Sequence, residues 1–396
     1  MKKIFLTVII FLSLLTLSYS DNSHPIFHSS FEGGKRYKIG KFDLLQLNGD
    51  YRNMGRQYGA LMKEELNNFY KLAIEKNLLR REDLEYQEIE DIAETIFDTY
   101  PKRFKEIIYG MAETSKMDVN KLIILDQIIA ISYVNNTLSN FGCSSLVAWD
   151  DYTSGGPLVF GRNFDYVNYF KRFAEFITIT VFNPSDSSVP TAIIGYAGQI
   201  CLSTGMNKEG LFIENNEAIV SGGNVFYSNR IHTFIQELGF LFNCSTLDNL
   251  EDSINTNRSN CSLIANVADK TKAYSYEWPP FDVRRREPDR PGLLVSTNHF
   301  VDSSWGIVEP IYDTDDLTVR RRRNLLALAE KYRGNFSAKK MMQVFDVSVK
   351  DGGATLPKET IYQIVAVPAE LKFWLKAPRF QDWTGIELNQ FFISSN

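Results

Sequence analysis

One junction in this 396-residue chain could do chemistry with its own atoms: Gly142-Cys143, in the run NFGCSSLVAWDDYTSGGPLVFGRNFDY. Cys143 opens a predicted strand directly after a glycine, and the small residue lets the preceding peptide adopt the strained geometry that attack of the thiol on its carbonyl requires. Cutting there exposes a new N-terminal Cys. Such a residue carries both halves of a nucleophilic pair, a thiol and an α-amino group whose unperturbed pKa of about 8 suits a general base near neutral pH. No histidine is then needed. The chain has four, two of them (His24 and His28) close to its start, and it lacks the GxSxG elbow of a serine hydrolase. Taken alone, a Cys at a strand start is more often a packing residue or half of a disulfide, so its surroundings decide.

Those surroundings resemble a known family. The Gly-Cys junction, the run Gly161-Arg162-Asn163-Phe164-Asp165 in the strand expected beside it, and the downstream Thr297-Asn298-His299 resemble the N-terminal-nucleophile (Ntn) hydrolases related to penicillin acyltransferase. Acid ceramidase, acylethanolamine amidase and bile-salt hydrolase are more distant branches of that family. Upstream, GDYRNMGRQYGALM and IIYGMAETSKMDVNKLIILD are similar to its opening helices, and GMNKEGLFIENN and the final hairpin follow in the family's order.

The resemblance implies a role for each of several residues. Cys143 is the nucleophile, Arg162 stabilises its thiolate and holds substrate, and Asp165 orients the freed α-amino group. Asn216 and Asn298 are amide donors for an oxyanion hole. The family also has an Arg in the helix after the Asn298 strand; four stand together here, Arg320 to Arg323, and the Thr-x-x-Arg spacing points to Arg321. Strict alternation puts residues 162 and 165 on opposite strand faces, so the strand is expected to end or bulge near Asn163. Plainer roles stand beside these: a strand-end salt bridge for Arg162 and Asp165, turn stabilisation for Asn216 and Asn298, a solvated helix face for the Arg run, and for His299 a place beside the site without a chemical role.

The elements that must position these residues follow from periodicity. From about Asp50 to Tyr133 the pattern is helical, with Phe104, Ile107, Ile108 and Met111 on one face and Lys121 to Ser132 nearly all apolar. From Ser144 the chain turns to short β-rich runs: SSLVAW, LVFGRNF, FITITVF, TAIIGYA and GLFIEN. Helices are expected near Tyr227 to Phe242 and Leu317 to Tyr332. A hairpin is expected around Asp269-Lys270-Thr271, a strand in GLLVSTNHF, and a closing hairpin at Pro368-Ala369. Strand groups alternating with helix groups without βαβ spacing predict an α+β fold, and the resemblance makes it a four-layer αββα sandwich of two antiparallel sheets.

Composition narrows the classes. Apolar residues are 44% and charged residues 23%, as in a globular domain, and the net charge of −5 offers no field for nucleic acid. No CxxC, HExxH or HxH grouping is present, so neither a metal nor any other cofactor is expected. Residues 1–20 read as a cleaved signal peptide, two Lys followed by an apolar run from Ile4 to Leu17 that is too short to span a bilayer, with Ser18 and Ser20 before the cut. Sequons at Asn135, Asn243, Asn257, Asn260 and Asn335 suit a glycosylated secreted or lysosomal chain. Cys244 and Cys261 are close enough to pair in such a compartment, and Cys143 and Cys201 either pair or leave one thiol for use.

The expected organisation is a signal peptide over 1–20, a mainly helical segment over 21–142 and a catalytic chain over 143–396, packed as one domain. The two cleavage products form a heterodimer with no stable membrane insertion. The expected function is hydrolysis of, or acyl transfer from, a small N-acyl amide through an acyl-Cys143 thioester. The alternatives are a non-catalytic glycoprotein of the same fold and a phospholipase B-like lipid hydrolase.

Overall fold

The computed structural model describes residues 24–81, 85–134, 142–225, 230–307 and 317–393. The expected signal peptide, the sequon at Asn135 and the first residues of the helix expected near Tyr227 lie outside the described residues.

Three strands come first, β1 (Ile26–Phe31), β2 (Gly34–Ile39) and β3 (Phe42–Gly49). They precede the helical run expected from about Asp50, and the sequence reading assigned no element to them. Helices α1 (Tyr51–Leu61), α2 (Lys63–Tyr70), α3 (Tyr86–Asp98), α4 (Lys102–Ser115), α5 (Val119–Asp126) and α6 (Ile128–Val134) follow. Asp50 and Asp118 cap α1 and α5 by accepting the backbone N–H of Asn53 and Asn120, each at 2.8 Å. Glycine decides how closely α1 and α4 cross. A Cβ on Gly55 would lie 2.1 Å from the Ile107 carbonyl oxygen, and one on Gly110 would lie 2.2 Å from that of Arg52, so neither helix tolerates a side chain there.

After Cys143 come β4 (Ser144–Ala148), β5 (Val159–Asp165), β6 (Ile177–Pro184), β7 (Thr191–Tyr196), β8 (Thr204–Asn207) and β9 (Phe212–Glu217). Helices α7 (Thr233–Asn243) and α8 (Leu247–Thr256) lead to β10 (Leu263–Ala268), β11 (Ala273–Trp278), β12 (Arg284–Arg286) and β13 (Leu293–Ser296). The chain closes with α9 (Thr318–Lys331), α10 (Ala338–Phe345), β14 (Thr360–Val367), β15 (Lys372–Ala377) and β16 (Gln381–Glu387).

One sheet has ten strands, in the order β1-β2-β3-β6-β7-β8-β9-β10-β11-β12; the other has six, in the order β13-β4-β5-β14-β15-β16. Helices α1 and α7 cover the outer face of the first, and α9 and α10 cover that of the second. The inner faces meet, with the rings of Phe160 on β5 and Phe212 on β9 4.7 Å apart. These are the four layers expected. The sheets are antiparallel except at β3–β6, which pair in parallel and join the segment before Cys143 to the one after it. That segment therefore supplies three strands of a shared sheet, and it cannot leave without exposing the edge of β6.

Candidate active site

Cys143 precedes β4 and is 5% exposed. β4 pairs with β5 so that Ser145 lies opposite Arg162, and Cys143, Ser145 and Arg162 point into the space between the sheets. The Arg162 guanidinium is fully buried, and both of its Nη atoms are hydrogen-bonded. Nε forms an ion pair with Glu214 of β9 at 2.9 Å, Nη1 donates to the Ser203 carbonyl and the Thr204 hydroxyl, and Nη2 donates to the Asn215 carbonyl at 2.6 Å. Nη2 also lies 3.8 Å from Cys143 Sγ. Burial pushes the Cys143 thiol up to about 11, with Arg162 pulling against it, so with the Gly142-Cys143 bond intact the sulfur carries its proton.

The outer side of the same junction belongs to Arg321. Its Nη1 donates to the carbonyl oxygens of Gly142 at 2.5 Å and Cys143 at 2.7 Å, and its Nη2 donates to Asn298 Oδ1 at 2.7 Å. Asn298 Nδ2 in turn donates to the Glu217 carbonyl at 2.8 Å. Of the four arginines in the run, Arg320 and Arg323 are exposed, Arg322 pairs with Asp289, and Arg321 alone is fully buried. The spacing that pointed to Arg321 finds the one that reaches Cys143.

Asp165 ends β5 on this outer side. Its Oδ1 accepts from the Thr360 hydroxyl at 2.5 Å, and its Oδ2 lies 3.8 Å from Arg321 Nη1. Oδ2 is buried and has no hydrogen-bond donor among the described residues. Burial, offset in part by Arg321, pushes this carboxyl up to about 7. The alternation problem is solved differently from expectation. β5 runs without a bulge through Asn163, and the irregularity is in its partner β14, between Thr360 and Tyr362. Arg162 and Asp165 do face opposite ways, and both reach Cys143 because it lies at the strand end, sulfur inward and carbonyl outward.

Gly142 matters here for the space it leaves. A Cβ there would lie 2.8 Å from Leu356 Cδ1 and 3.3 Å from Arg321 Nη2, so glycine leaves room for the guanidinium to reach the Gly142 carbonyl.

The side chain of Asn216, expected as an oxyanion donor, is engaged by a neighbour. Asn216 faces the inner space and donates to Ser145 Oγ at 3.1 Å, beside the hydrogen bond that Ser145 makes to Glu214. Asn215, one residue earlier, lines a cavity of about 450 Å³, open solvent at its mouth included, together with Cys143, Arg162 and Asp165. The apolar walls are Ile129, Phe164, Tyr166, Ile219, Phe234 and Leu263. Glu214, which the sequence reading missed, is the counter-ion of Arg162; its only signal was an acid inside a strand of otherwise apolar and amide residues. His299 is buried with Nδ1 2.8 Å from the Thr318 hydroxyl, and burial lowers it to about 4.

All four thiols are free. The pairing of Cys244 with Cys261 is thereby corrected: Cys244 Sγ lies 3.4 Å from Ser253 Oγ, whereas Cys261 lines the cavity of Cys143. Among the sequons, Asn243 and Asn335 are exposed and Asn257 is half-buried. Asn260 is 2% exposed, with its Oδ1 taking both the N–H and the hydroxyl of Thr233, so a glycan there does not fit the folded chain. No group of metal-ligating side chains occurs among the described residues, and no described helix is long and apolar enough to cross a membrane.

No family model matches the chain. Among curated proteins it is similar to protein dcd1B of Dictyostelium discoideum, 23% identical over 299 residues, which cover 65% of this chain and 58% of the relative. The chain thus spans a little over half the length of the curated relative it matches. Among solved structures it is similar to a Caenorhabditis elegans ortholog of N-acylethanolamine-hydrolyzing acid amidase, 21% identical, covering 57% of this chain and 93% of the other with a TM-score of 0.43. It is likewise similar to a variant of conjugated bile acid hydrolase from Clostridium perfringens (13% identical, 63% and 93% covered, TM-score 0.44). Penicillin V acylase from Agrobacterium tumefaciens is comparable (12% identical, 63% and 87% covered, TM-score 0.44). At these values the likeness assigns no role to any residue of this chain.

Proposed function

We propose that the chain is a self-cutting Ntn hydrolase of linear amides, exported to a secretory or lysosomal compartment and active after cleavage at Gly142-Cys143. The observation that carries this is the pair of arginines around one peptide bond: Arg321 donating to the Gly142 carbonyl oxygen at 2.5 Å, and Arg162 lying 3.8 Å from the Cys143 sulfur. Attack of Sγ on the Gly142 carbonyl carbon breaks the bond to the Cys143 nitrogen, forms a thioester and leaves the thiol proton on that nitrogen. Arg321 holds the oxygen on which negative charge develops. Water then hydrolyses the thioester, releasing Gly142 as a carboxylate and freeing the thiol beside the amine.

In turnover the same sulfur attacks the substrate acyl carbon. The α-amino group takes the thiol proton and passes it to the departing amine, and water hydrolyses the acyl thioester. The orphaned Asp165 Oδ2 suits this account, because it is a buried acceptor near the position where the cut creates an ammonium donor. Asn298, tied to Arg321, is the side-chain amide nearest the carbonyl clamp.

The titration of Asp165 gives a signed expectation. A carboxyl whose pKa is raised on folding favours the protonated fold, so the uncut chain loses stability as pH rises from the ordinary carboxylate range through about 7. Comparing the uncut Cys143→Ala chain with Cys143→Ala/Asp165→Asn isolates this group. The Asn-containing chain is expected to be the more stable by a few degrees in Tm at pH 8, with the gap closing at pH 4. A gap independent of pH contradicts the assigned environment of Asp165.

The substrate follows from the cavity walls. Apolar side chains beside the nucleophile suit an acyl chain, and each buried methylene adds up to about 0.8 kcal/mol until the space is full. A panel of N-acyl amides of increasing chain length, assayed at pH 4.5 and 7 with the cut protein, is expected to show kcat/KM rising with length and then levelling. A flat profile removes the acyl-chain assignment and leaves the nucleophile untouched; transfer to an added amine without hydrolysis makes the protein an acyltransferase.

A further inference from the structure

The turn over residues 197–203 joins β7 to β8 and ends against Arg162, whose Nη1 is held by the Ser203 carbonyl and the Thr204 hydroxyl. What fixes the turn comes from the other side of the Gly142-Cys143 bond. Asp126, the last residue of α5, is 1% exposed, and its Oδ1 accepts the backbone N–H groups of Ile200 at 2.7 Å and Cys201 at 3.1 Å. Its Oδ2 accepts from the Tyr100 hydroxyl at 2.8 Å and the Gln127 amide at 2.9 Å. The Tyr58 hydroxyl accepts from Gly198 N at 2.8 Å, so the segment before the cut holds the turn at two points.

We infer that Asp126 is a positioning residue for Arg162: it pins Ile200 and Cys201, that pin sets the Ser203 carbonyl, and the carbonyl aims the guanidinium at Cys143. The inference rests on the proposed role of Arg162. It makes residues before the cut part of the working enzyme and gives the buried carboxylate at the end of α5 a function in the chemistry. The physical reason is steepness. A guanidinium hydrogen-bonded at both Nη atoms keeps its orientation, and releasing one anchored carbonyl lets Nη2 move off the sulfur, whose thiolate then loses the nearest positive charge. Asp165 and Glu214, the acids that also face this sulfur, are left in place.

The experiment reads the thiol directly. In the cut protein, the rate of alkylation of Cys143 by iodoacetamide is followed against pH, with the modified peptide identified by mass. Asp126→Leu is expected to raise the midpoint by about one unit, which is about tenfold less thiolate at a pH below it. In this variant kcat falls and KM stays where it was. Asp126→Asn, whose Oδ1 still serves both N–H groups, is expected to keep the wild-type midpoint. Should Asp126→Leu fail to fold, Asp126→Ser, too short to reach both N–H groups, carries the same test. A wild-type midpoint in the variant that removes the pin, with only Tm lowered, overturns the inference and leaves Asp126 a packing anchor. Failure of the hydrolase assignment looks different: no N-acyl amide is turned over, while the midpoint still moves with Asp126.

Discussion

Cys143→Ala is expected to leave the protein as one uncut chain with no measurable turnover, while Tm stays within a few degrees of the parent. One atom, Sγ, is assigned to two reactions, and alanine removes it from both. The effect on rate is expected to reach ~10⁴-fold or more, since loss of a nucleophile leaves only binding and oxyanion stabilisation. The fold has little reason to suffer, because Cys143 is small and its backbone carbonyl, the part that Arg321 grips, is unchanged. Cys143→Ser separates the two roles further: a hydroxyl keeps the geometry but has no accessible anion, so slow cutting with poorer turnover is expected. Turnover by the Ala variant at anything near the parent rate is incompatible with a thioester.

The second large effect is at Arg162, and the structure changes how it must be tested. Removing the guanidinium alone strands Glu214, fully buried and 2.9 Å from Nε, and breaking such a pair costs about 3–5 kcal/mol. Arg162→Ala therefore confounds folding with chemistry. The double variant Arg162→Met/Glu214→Gln removes both charges and keeps the volume. It is expected to fold and to lose at least ~10²-fold in kcat, with the alkylation midpoint of Cys143 displaced upward. Wild-type kcat in this double variant would mean that the thiolate draws its stabilisation from elsewhere.

The features legible in the sequence are those that local chemistry fixes. The glycine-cysteine junction, the strand of Arg162 and Asp165 and the Thr-x-x-Arg spacing of Arg321 are short-range patterns, and the structure brings Arg162, Asp165 and Arg321 together around Cys143. Strands with alternating or continuous apolar character, such as those of Phe160 and Ile179, were equally plain. What escaped was decided by tertiary pairing. β1 and β2 carry too many exposed and charged residues to read as strands and exist because β3 docks in parallel on β6. A one-residue phase separates Asn215 from Asn216, and nothing in the run IENNE says which faces the inner space until β9 is paired with β10. Glu214 and Asp126 looked like ordinary polar residues, because an acid declares itself buried only when its partners, Arg162 in one case and the N–H groups of Ile200 and Cys201 in the other, arrive from remote segments. The closeness of Cys244 and Cys261 in sequence misled for the same reason, as Cys261 lies beside Thr233 at the start of α7 and lines the cavity, whereas Cys244 follows the end of that helix.

The most direct test of the central claim is the intact mass and N-terminal sequence of the purified, deglycosylated protein. Two chains are expected, the larger beginning Cys-Ser-Ser-Leu-Val and the smaller ending at Gly142, held together under native conditions by the shared ten-stranded sheet. A single chain with an intact Gly142-Cys143 bond that still hydrolyses N-acyl amides would contradict it.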